Sequence, residues 1–371
     1  MSGKKSQNHS GQRTPSGAQE GEAAAMLDSY MTETTEYVKR KFNEAMDRYF
    51  TNVDPTFVNA VRDYPDRIDK KLRPSMVFLA AESFGLKRSD VADLALALEA
   101  VYNGYLVPDD IYDETTVRKG EPALHLKIGR ARAMNAGAEL LNMAWSLINR
   151  FTSRCYENER PAIAYVASRE YSRMTSSISA GQDLEERYKG LNALKPESEP
   201  VYYQICRLKT VSYIATFPVI IGTIAAGHYD EVTLSRIKEL FSHFGIAFQL
   251  ASDLRDVVGR AASSGDLSAL RERKLRLDVL HALDAAPDEV VARMHRIYSK
   301  PAAEVSDGDL AYIATVAKEY GGVDYLSAKL AAEIDAARRL WLGNSIFPKN
   351  RFSKMLGALI SSDMLKRYAV D

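Results

Sequence analysis

The sequence predicts an all-α protein, on three observations. Apolar residues recur at spacings of three to five, as in Leu94, Leu98, Val101 and Tyr105 and again in Ile205, Leu208 and Tyr213, which is the period of one helix face. Strand signals are nearly absent. Val201-Tyr202-Tyr203 is short and merges into a helical pattern, and Asn103-Gly104 lies inside a helical run. Breaks at Asp54-Pro55, Arg73-Pro74, Gly120-Glu121-Pro122, Asn192 to Pro200, Gly259 to Gly265 and Ala286-Pro287 divide the chain into helices of ordinary length.

Taken in order, residues 1–25 are rich in Ser, Gly, Gln and Lys with no apolar run, so they are expected to be a polar, unstructured tail rather than a signal peptide. Helical patterning begins near Met26 and continues to the end, and no composition shift divides it, so 26–371 is expected to be one domain. Basic residues cluster at two breaks, Asp69-Lys70-Lys71-Leu72-Arg73-Pro74 and Arg118-Lys119-Gly120-Glu121-Pro122. Such positions suit loops around a cleft mouth. Thr210 to Ala226 is the most apolar stretch, interrupted by Ser212, Thr216 and Pro218, and is expected to be a buried core helix. The helices after Pro287 carry mixed charge and are expected to be scaffold.

The 371 residues carry 49 basic against 49 acidic side chains, so nothing pulls the whole molecule toward nucleic acid or an anionic membrane. Any bound anion must be met by local clusters. Cys155 and Cys206 show no zinc or disulfide spacing, which fits a reducing cytoplasm. No run approaches the roughly 18 apolar residues of a membrane span.

The chemistry is carried by Asp109-Asp110-Ile111-Tyr112-Asp113 and by a partial second copy, Ser252-Asp253-Leu254-Arg255-Asp256. On a helix, Asp109 and Asp113 lie one turn apart on one face with Asp110 beside them. Hard carboxylate oxygens of this kind suit Mg²⁺, which combines a few carboxylates with phosphate oxygens and water. The structural alternative is an ordinary helix start, with Pro108 at the first helical position and acids in the first turn. Lys209 at the head of an apolar helix is by itself an ordinary snorkelling residue.

The order Lys-x-x-Arg-Pro (Lys70, Arg73), DDxxD (Asp109 to Asp113), Arg-Lys-Gly-x-Pro (Arg118, Lys119), Gly-Gln (Gly181, Gln182), Lys-Thr (Lys209, Thr210) and Phe-Gln-x-x-x-Asp-x-x-Asp (Gln249, Asp253, Asp256) resembles the trans-isoprenyl diphosphate synthases, the polyprenyl synthetase family. The resemblance runs from about Asp69 to Leu280. It implies the isoprenoid synthase fold, an antiparallel helix bundle around a deep cavity, and a homodimer. It further implies that an allylic diphosphate, held by three Mg²⁺, ionises and alkylates isopentenyl diphosphate. By the same resemblance Asp109, Asp110, Asp113, Asp253 and Asp256 would bind metal, while Arg118 and Lys209 would grip the allylic diphosphate. Lys70, Arg73 and Lys119 would hold isopentenyl diphosphate. Thr210 and Gln249 would face the developing cation, with Gln182 lining the same cavity, and Lys274 would reach the diphosphate.

Several positions depart from the family pattern. Ser252 stands where the second cluster normally has Asp, Tyr102 where a hydrogen-bond donor to the acceptor is usual, and Lys119 where a second Arg is usual; Lys lacks the bidentate fork of Arg. The turn after the second cluster, with Arg260 its nearest cation, is also altered, and Pro108 is expected to kink or begin a helix. These changes spare the allylic half more than the acceptor half. Two alternatives follow: an enzyme that uses an aromatic acceptor or cyclises the cation as a terpene synthase, and a weakly active regulatory subunit. Tyr105, one turn before Asp109, is expected to be a floor limiting the product to C15–C20, with the neighbouring Gly104 giving no block.

Overall fold

The computed structural model describes residues 17–195, 197–263, 268–361 and 365. Helix α1 (Gly17–Tyr49) begins inside the segment expected to be an unstructured tail. Ala23, Ala24 and Ala25 are strong helix formers, and Leu27, two residues on, is fully buried in the core. Residues 1–16 lie outside the described residues. Helix α2 (Pro55–Asp66) starts as the sequence implies, with Pro55 at its first position and the Asp54 carboxylate accepting from the Thr56 and Phe57 N–H groups.

Helices α3 (Leu72–Ser83) and α4 (Arg88–Tyr112) are followed by a short antiparallel hairpin, β1 (Val117–Arg118) and β2 (Glu121–Pro122). Its two-residue turn, Lys119-Gly120, has φ of 49° and 81°, the left-handed pair that tight hairpins require. Helix α5 (Leu124–Ile128) leads to the long pair α6 (Arg130–Glu157) and α7 (Pro161–Arg187). Next come α8 (Ser198–Cys206), a π-helix over Arg207–Thr216, and α9 (Phe217–Ala225). Helix α10 (Glu231–Ser263) continues through Gly259, where a break was expected; the rest of that break, with Gly265, lies outside the described residues. The remaining helices are α11 (Ser268–Arg271), α12 (Leu277–Ala285), α13 (Asp288–Ser299), α14 (Asp307–Glu319), α15 (Gly322–Gly343) and α16 (Arg351–Ala358).

Two apolar clusters fill the interior. One gathers α1, α3, α4, α6, α7 and α9 with the first half of α10; the other joins α8 and the second half of α10 to α12, α13 and α14. By length and hydropathy the continuous run Ser198–Ala225 could cross a membrane, but 78% of its most apolar window is buried against the fold. It is a core helix, as its sequence suggests.

Pro108 neither begins nor ends a helix. Helix α4 passes through it and ends four residues later, so Asp109, Asp110 and Asp113 stand at a helix C-terminus, not in a first turn. Gly104 and Gly137 let α4 and α6 approach so closely that a Cβ on either would lie 3.0 Å from the other's carbonyl oxygen. Gly104 therefore faces α6 as a packing glycine, while its neighbour Tyr105 is the residue that lines a cavity.

Candidate active site

A carboxylate at a helix C-terminus meets the negative end of the macrodipole, so the last turn of α4 is an unfavourable place for acids unless cations answer them. Three lysines do. Lys209 Nζ lies 2.8 Å from Asp109 and 3.1 Å from Glu185 of α7. Lys274 Nζ lies 2.7 Å from Asp113, 3.1 Å from Glu185 and 2.8 Å from Glu272. Lys189 Nζ lies 2.6 Å from Asp113. Burial pushes the Asp109 carboxyl up, but Lys209 and Lys274 outweigh it and hold the group well below the usual carboxylate range. Glu272, whose burial dominates over Lys274, is pushed up to about 7.

Asp109, Asp113 and Glu185 each present an oxygen within 4.8 Å of the others. Three hard oxygens so placed fit Mg²⁺. Glu185 was not singled out from the sequence, although it stands one turn beyond Gly181. Lys189 and Glu272 were missed too, having no motif of their own.

Asp110, expected among the metal ligands, turns the other way. It is fully buried, accepts from Arg118 Nε at 2.8 Å, and also bonds the Arg118 Nη2 and Tyr64 phenol groups. A residue next in sequence on a helix is rotated by about 100°, so it cannot share the face of Asp109 and Asp113. Arg118 is accordingly held on Asp110 and retains 24% side-chain exposure.

Lys209 and Thr210, adjacent in sequence on the π-helix, reach different places. Wide π turns recur at functional sites, and here glycines press the segment from both sides. A Cβ at Gly181 would come within 2.9 Å of Lys209 N, and one at Gly245 within 2.9 Å of Val211 and Ala215. Lys209 reaches Asp109. Thr210 donates to Gln249 Oε1 at 2.6 Å, and Gln249 Nε2 donates to Asp253 at 2.9 Å.

That second wall is built differently. Asp253 also accepts from the Tyr202 phenol at 2.6 Å, and burial pushes its carboxyl up to about 6 in spite of Arg276. Arg276 lies 3.7 Å from Asp256 and 2.9 Å from Asp278, and donates to the Asp253 carbonyl at 2.6 Å. Ser252 Oγ accepts from Arg255. Asp253 and Asp256 line a cavity of about 140 Å³ shared with Glu185, Lys274, Thr210 and Gln249.

A larger cavity of about 350 Å³ opens on the first wall, with Asp109, Lys209 and Gln182 at its polar side and Tyr105, Leu106, Ile178 and Tyr213 at its apolar side. Thr210 and Gln249, expected to share a cavity with Gln182, line the smaller one, whereas Gln182 lines this one. Tyr105 lines this cavity and donates to the Thr175 carbonyl at 3.2 Å, tying α4 to α7.

Around the hairpin lies a third cluster. The Arg73 guanidinium stacks 3.4 Å from the centre of the Tyr102 ring, which Lys119 Nζ approaches to 4.9 Å. Lys119 Nζ lies 2.5 Å from Asp69. Lys70 does not join this cluster; it is exposed, in a surface recess against α1. Lys71, held at φ 46° as the N-cap of α3, turns inward instead, 2.9 Å from Asp69 and 2.6 Å from Glu99.

A family model for polyprenyl synthetase matches residues 54–314. The chain is 32% identical to the geranylgeranyl diphosphate synthase of Methanosarcina mazei, over 61% of this chain and 67% of that one. It is 27% identical to a short chain isoprenyl diphosphate synthase of Methanothermobacter thermautotrophicus, over 78% and 87%. Among solved structures, the geranylgeranyl pyrophosphate synthase of Corynebacterium glutamicum, complexed with isoprenyl diphosphate and magnesium, superposes with a TM-score of 0.78 at 19% identity, covering 90% of this chain and 99% of that one. The fold is the same.

Proposed function

The chain belongs to the polyprenyl synthetase family, and from that premise we propose that it condenses an allylic diphosphate with isopentenyl diphosphate to give a C15–C20 product. The observation that carries this reading is the convergence of Asp109, Asp113 and Glu185 with Lys209 and Lys274, beside a cavity lined by Asp109 and Lys209 on one side and by Tyr105, Leu106, Ile178 and Tyr213 on the other. Such a cavity matches a diphosphate head and a hydrocarbon tail.

Asp109, Asp113 and Glu185 would hold Mg²⁺, with Asp253 and Asp256 completing a set of three ions from the opposite wall. Bound Mg²⁺ supplies positive charge that stabilises the leaving diphosphate as the allylic carbon–oxygen bond breaks. Lys209 and Lys274, already desolvated beside their carboxylates, present fixed ammonium groups to the same departing charge. Gln249, oriented by Asp253, holds the Thr210 hydroxyl in place, and this pair would face the allylic cation. Tyr105, Leu106 and Ile178 would shape the space for the growing chain. Residues 26–371 would act as one unit, in the cytoplasm, and as a homodimer. Trp145 on α6 and Tyr165 on α7, 46% and 65% exposed, support the last point.

Incubating the full chain with Mg²⁺, geranyl or farnesyl diphosphate and labelled isopentenyl diphosphate tests the reading. A labelled, longer diphosphate is expected, and its absence with every primer would sink it. A second reading, a different acceptor, is favoured by one observation: Lys119 and Arg73 are already engaged by Asp69 and Tyr102. Hydrocarbon or alcohol products, or prenylation of an aromatic, would support that reading.

A further inference from the structure

The hairpin carries two neighbouring cations to different partners, Arg118 at the end of β1 and Lys119 at the start of the left-handed turn. Arg118 lies on Asp110 and Lys119 on Asp69. Arg67 fixes the hairpin by donating to the carbonyls of Arg118 at 2.7 Å and Pro122 at 2.8 Å, so Lys119 is delivered by a held backbone. Both lysines on Asp69 occupy left-handed conformations, with φ of 46° at Lys71 and 49° at Lys119. Side chains rarely adopt that geometry without compensation from their surroundings. The two carboxylate oxygens of Asp69 divide the lysines between them, Oδ1 to Lys71 at 2.9 Å and Oδ2 to Lys119 at 2.5 Å. All three side chains are nearly fully buried, at 5%, 5% and 2% exposure for Lys71, Asp69 and Lys119.

Asp69 thus sits as a two-oxygen anion inside a cradle of cations, next to the Tyr102 ring that lines the large cavity. Lys71 lies on Asp69 and Glu99 there and Lys119 on Asp69, while Arg73 stacks on the Tyr102 ring beside them. One net positive charge remains, too little for a diphosphate unless a carboxylate leaves. Asp69 also borders the surface recess of about 370 Å³ that holds Lys70, which gives a displaced side chain somewhere to go.

We propose that Asp69 is an internal counter-anion of the acceptor pocket: the acceptor's diphosphate reaches Lys119 only by displacing the Asp69 carboxylate, so Asp69 sets the affinity for the acceptor. This rests on the condensation reading above and names a residue that governs its second substrate. The Lys119 ammonium is the shared group, bonded to one anion or the other. Its desolvation makes the exchange selective for an anion that brings more charge than a single carboxylate.

Kinetics of the full chain with farnesyl diphosphate and isopentenyl diphosphate test the proposal. Asp69→Asn is expected to lower KM for isopentenyl diphosphate about tenfold, the equivalent of about 1.4 kcal/mol, while KM for the allylic substrate stays within about twofold. Asp69→Glu, which keeps the charge, should stay near the wild type. An unchanged or raised acceptor KM in an Asp69→Asn chain with wild-type melting overturns the proposal. If that variant does not fold, wild-type chain labelled with ¹³C at Asp carboxyls decides. The Asp69 resonance, identified by its loss in Asp69→Glu, should move when metal-free inorganic pyrophosphate is added, and a fixed resonance at saturation overturns the displacement. Tighter calorimetric binding of isopentenyl diphosphate to Asp69→Asn without product from any primer would keep the counter-anion and sink the condensation reading.

Discussion

On the first wall, Asp109, Asp113 and Glu185 meet the ammonium groups of Lys209, Lys274 and Lys189; on the second, Asp253 meets the phenol of Tyr202 and the amide of Gln249. Both walls are acidic and both are largely buried. Lys209 and Lys274 outweigh burial at Asp109 and keep it ionised, whereas the Asp253 carboxylate accepts from neutral donors, Arg276 bonds its backbone carbonyl instead, and burial leaves it pushed up to about 6. Each carboxylate is therefore set by its partners weighed against its own burial: Asp113, on the first wall with two lysines, is still pushed up because burial outweighs them. Ser252, with a hydroxyl in place of a carboxylate, adds to the same imbalance.

The largest expected effect separates the walls directly. Asp109→Asn should lower kcat for label incorporation by about 10²–10³, the scale of losing one preorganised electrostatic group, and Asp253→Asn by clearly less. Equal losses would erase the distinction. Gly181→Ala comes next, because its methyl group would press on the Lys209 backbone nitrogen. It should cost about 1–3 kcal/mol in chemical denaturation and weaken the allylic substrate's KM, leaving the Tyr202–Asp253 pair intact. Wild-type stability and KM in this variant would show that Lys209 is not placed by that contact.

The pH dependence of the metal-free chain probes the second wall. Asp253 is raised in the folded state, so between 3.8 and about 6 the folded chain binds its proton more tightly than the unfolded one. Stability from this group is present below that window and is lost as pH rises through it. Melting curves of Asp253→Asn should lack this decline; the same slope in both chains would assign it elsewhere. The smallest effect concerns the floor of the first wall. Tyr105→Ala should shift product length upward on chromatography with little change in rate, and an unchanged length would remove Tyr105 from that role.

Much of this was legible in the sequence. Helical periodicity indicated the architecture, and four residues singled out in the sequence pair in the structure, Lys209 with Asp109 and Lys274 with Asp113. Orientation was less legible. Asp110 and Gly104 share the helix of Asp109 but not its face, and that face was decided by the packing of α6 and by Tyr64 and Arg118. Lys70 and Lys71 were indistinguishable as a pair until the left-handed turn at Lys71 sent one inward. Glu185 and Asp69 became visible only through partners distant in sequence.

The π-helical stretch over Arg207–Thr216 has one more consequence. A π turn carries a surplus residue relative to an α-helix, and removing it would rotate all that follows by about 100°. Phe217 to Ala225, buried on every side, would tolerate such a turn poorly, while Lys209 and Thr210 precede most of it. The surplus thus works as a mechanical clutch: it lets the catalytic end of the helix keep an angular setting of its own while the core end stays locked in the bundle. A one-residue deletion in this stretch would couple the two settings, and either the ammonium on the first wall or the hydroxyl on the second would lose its aim.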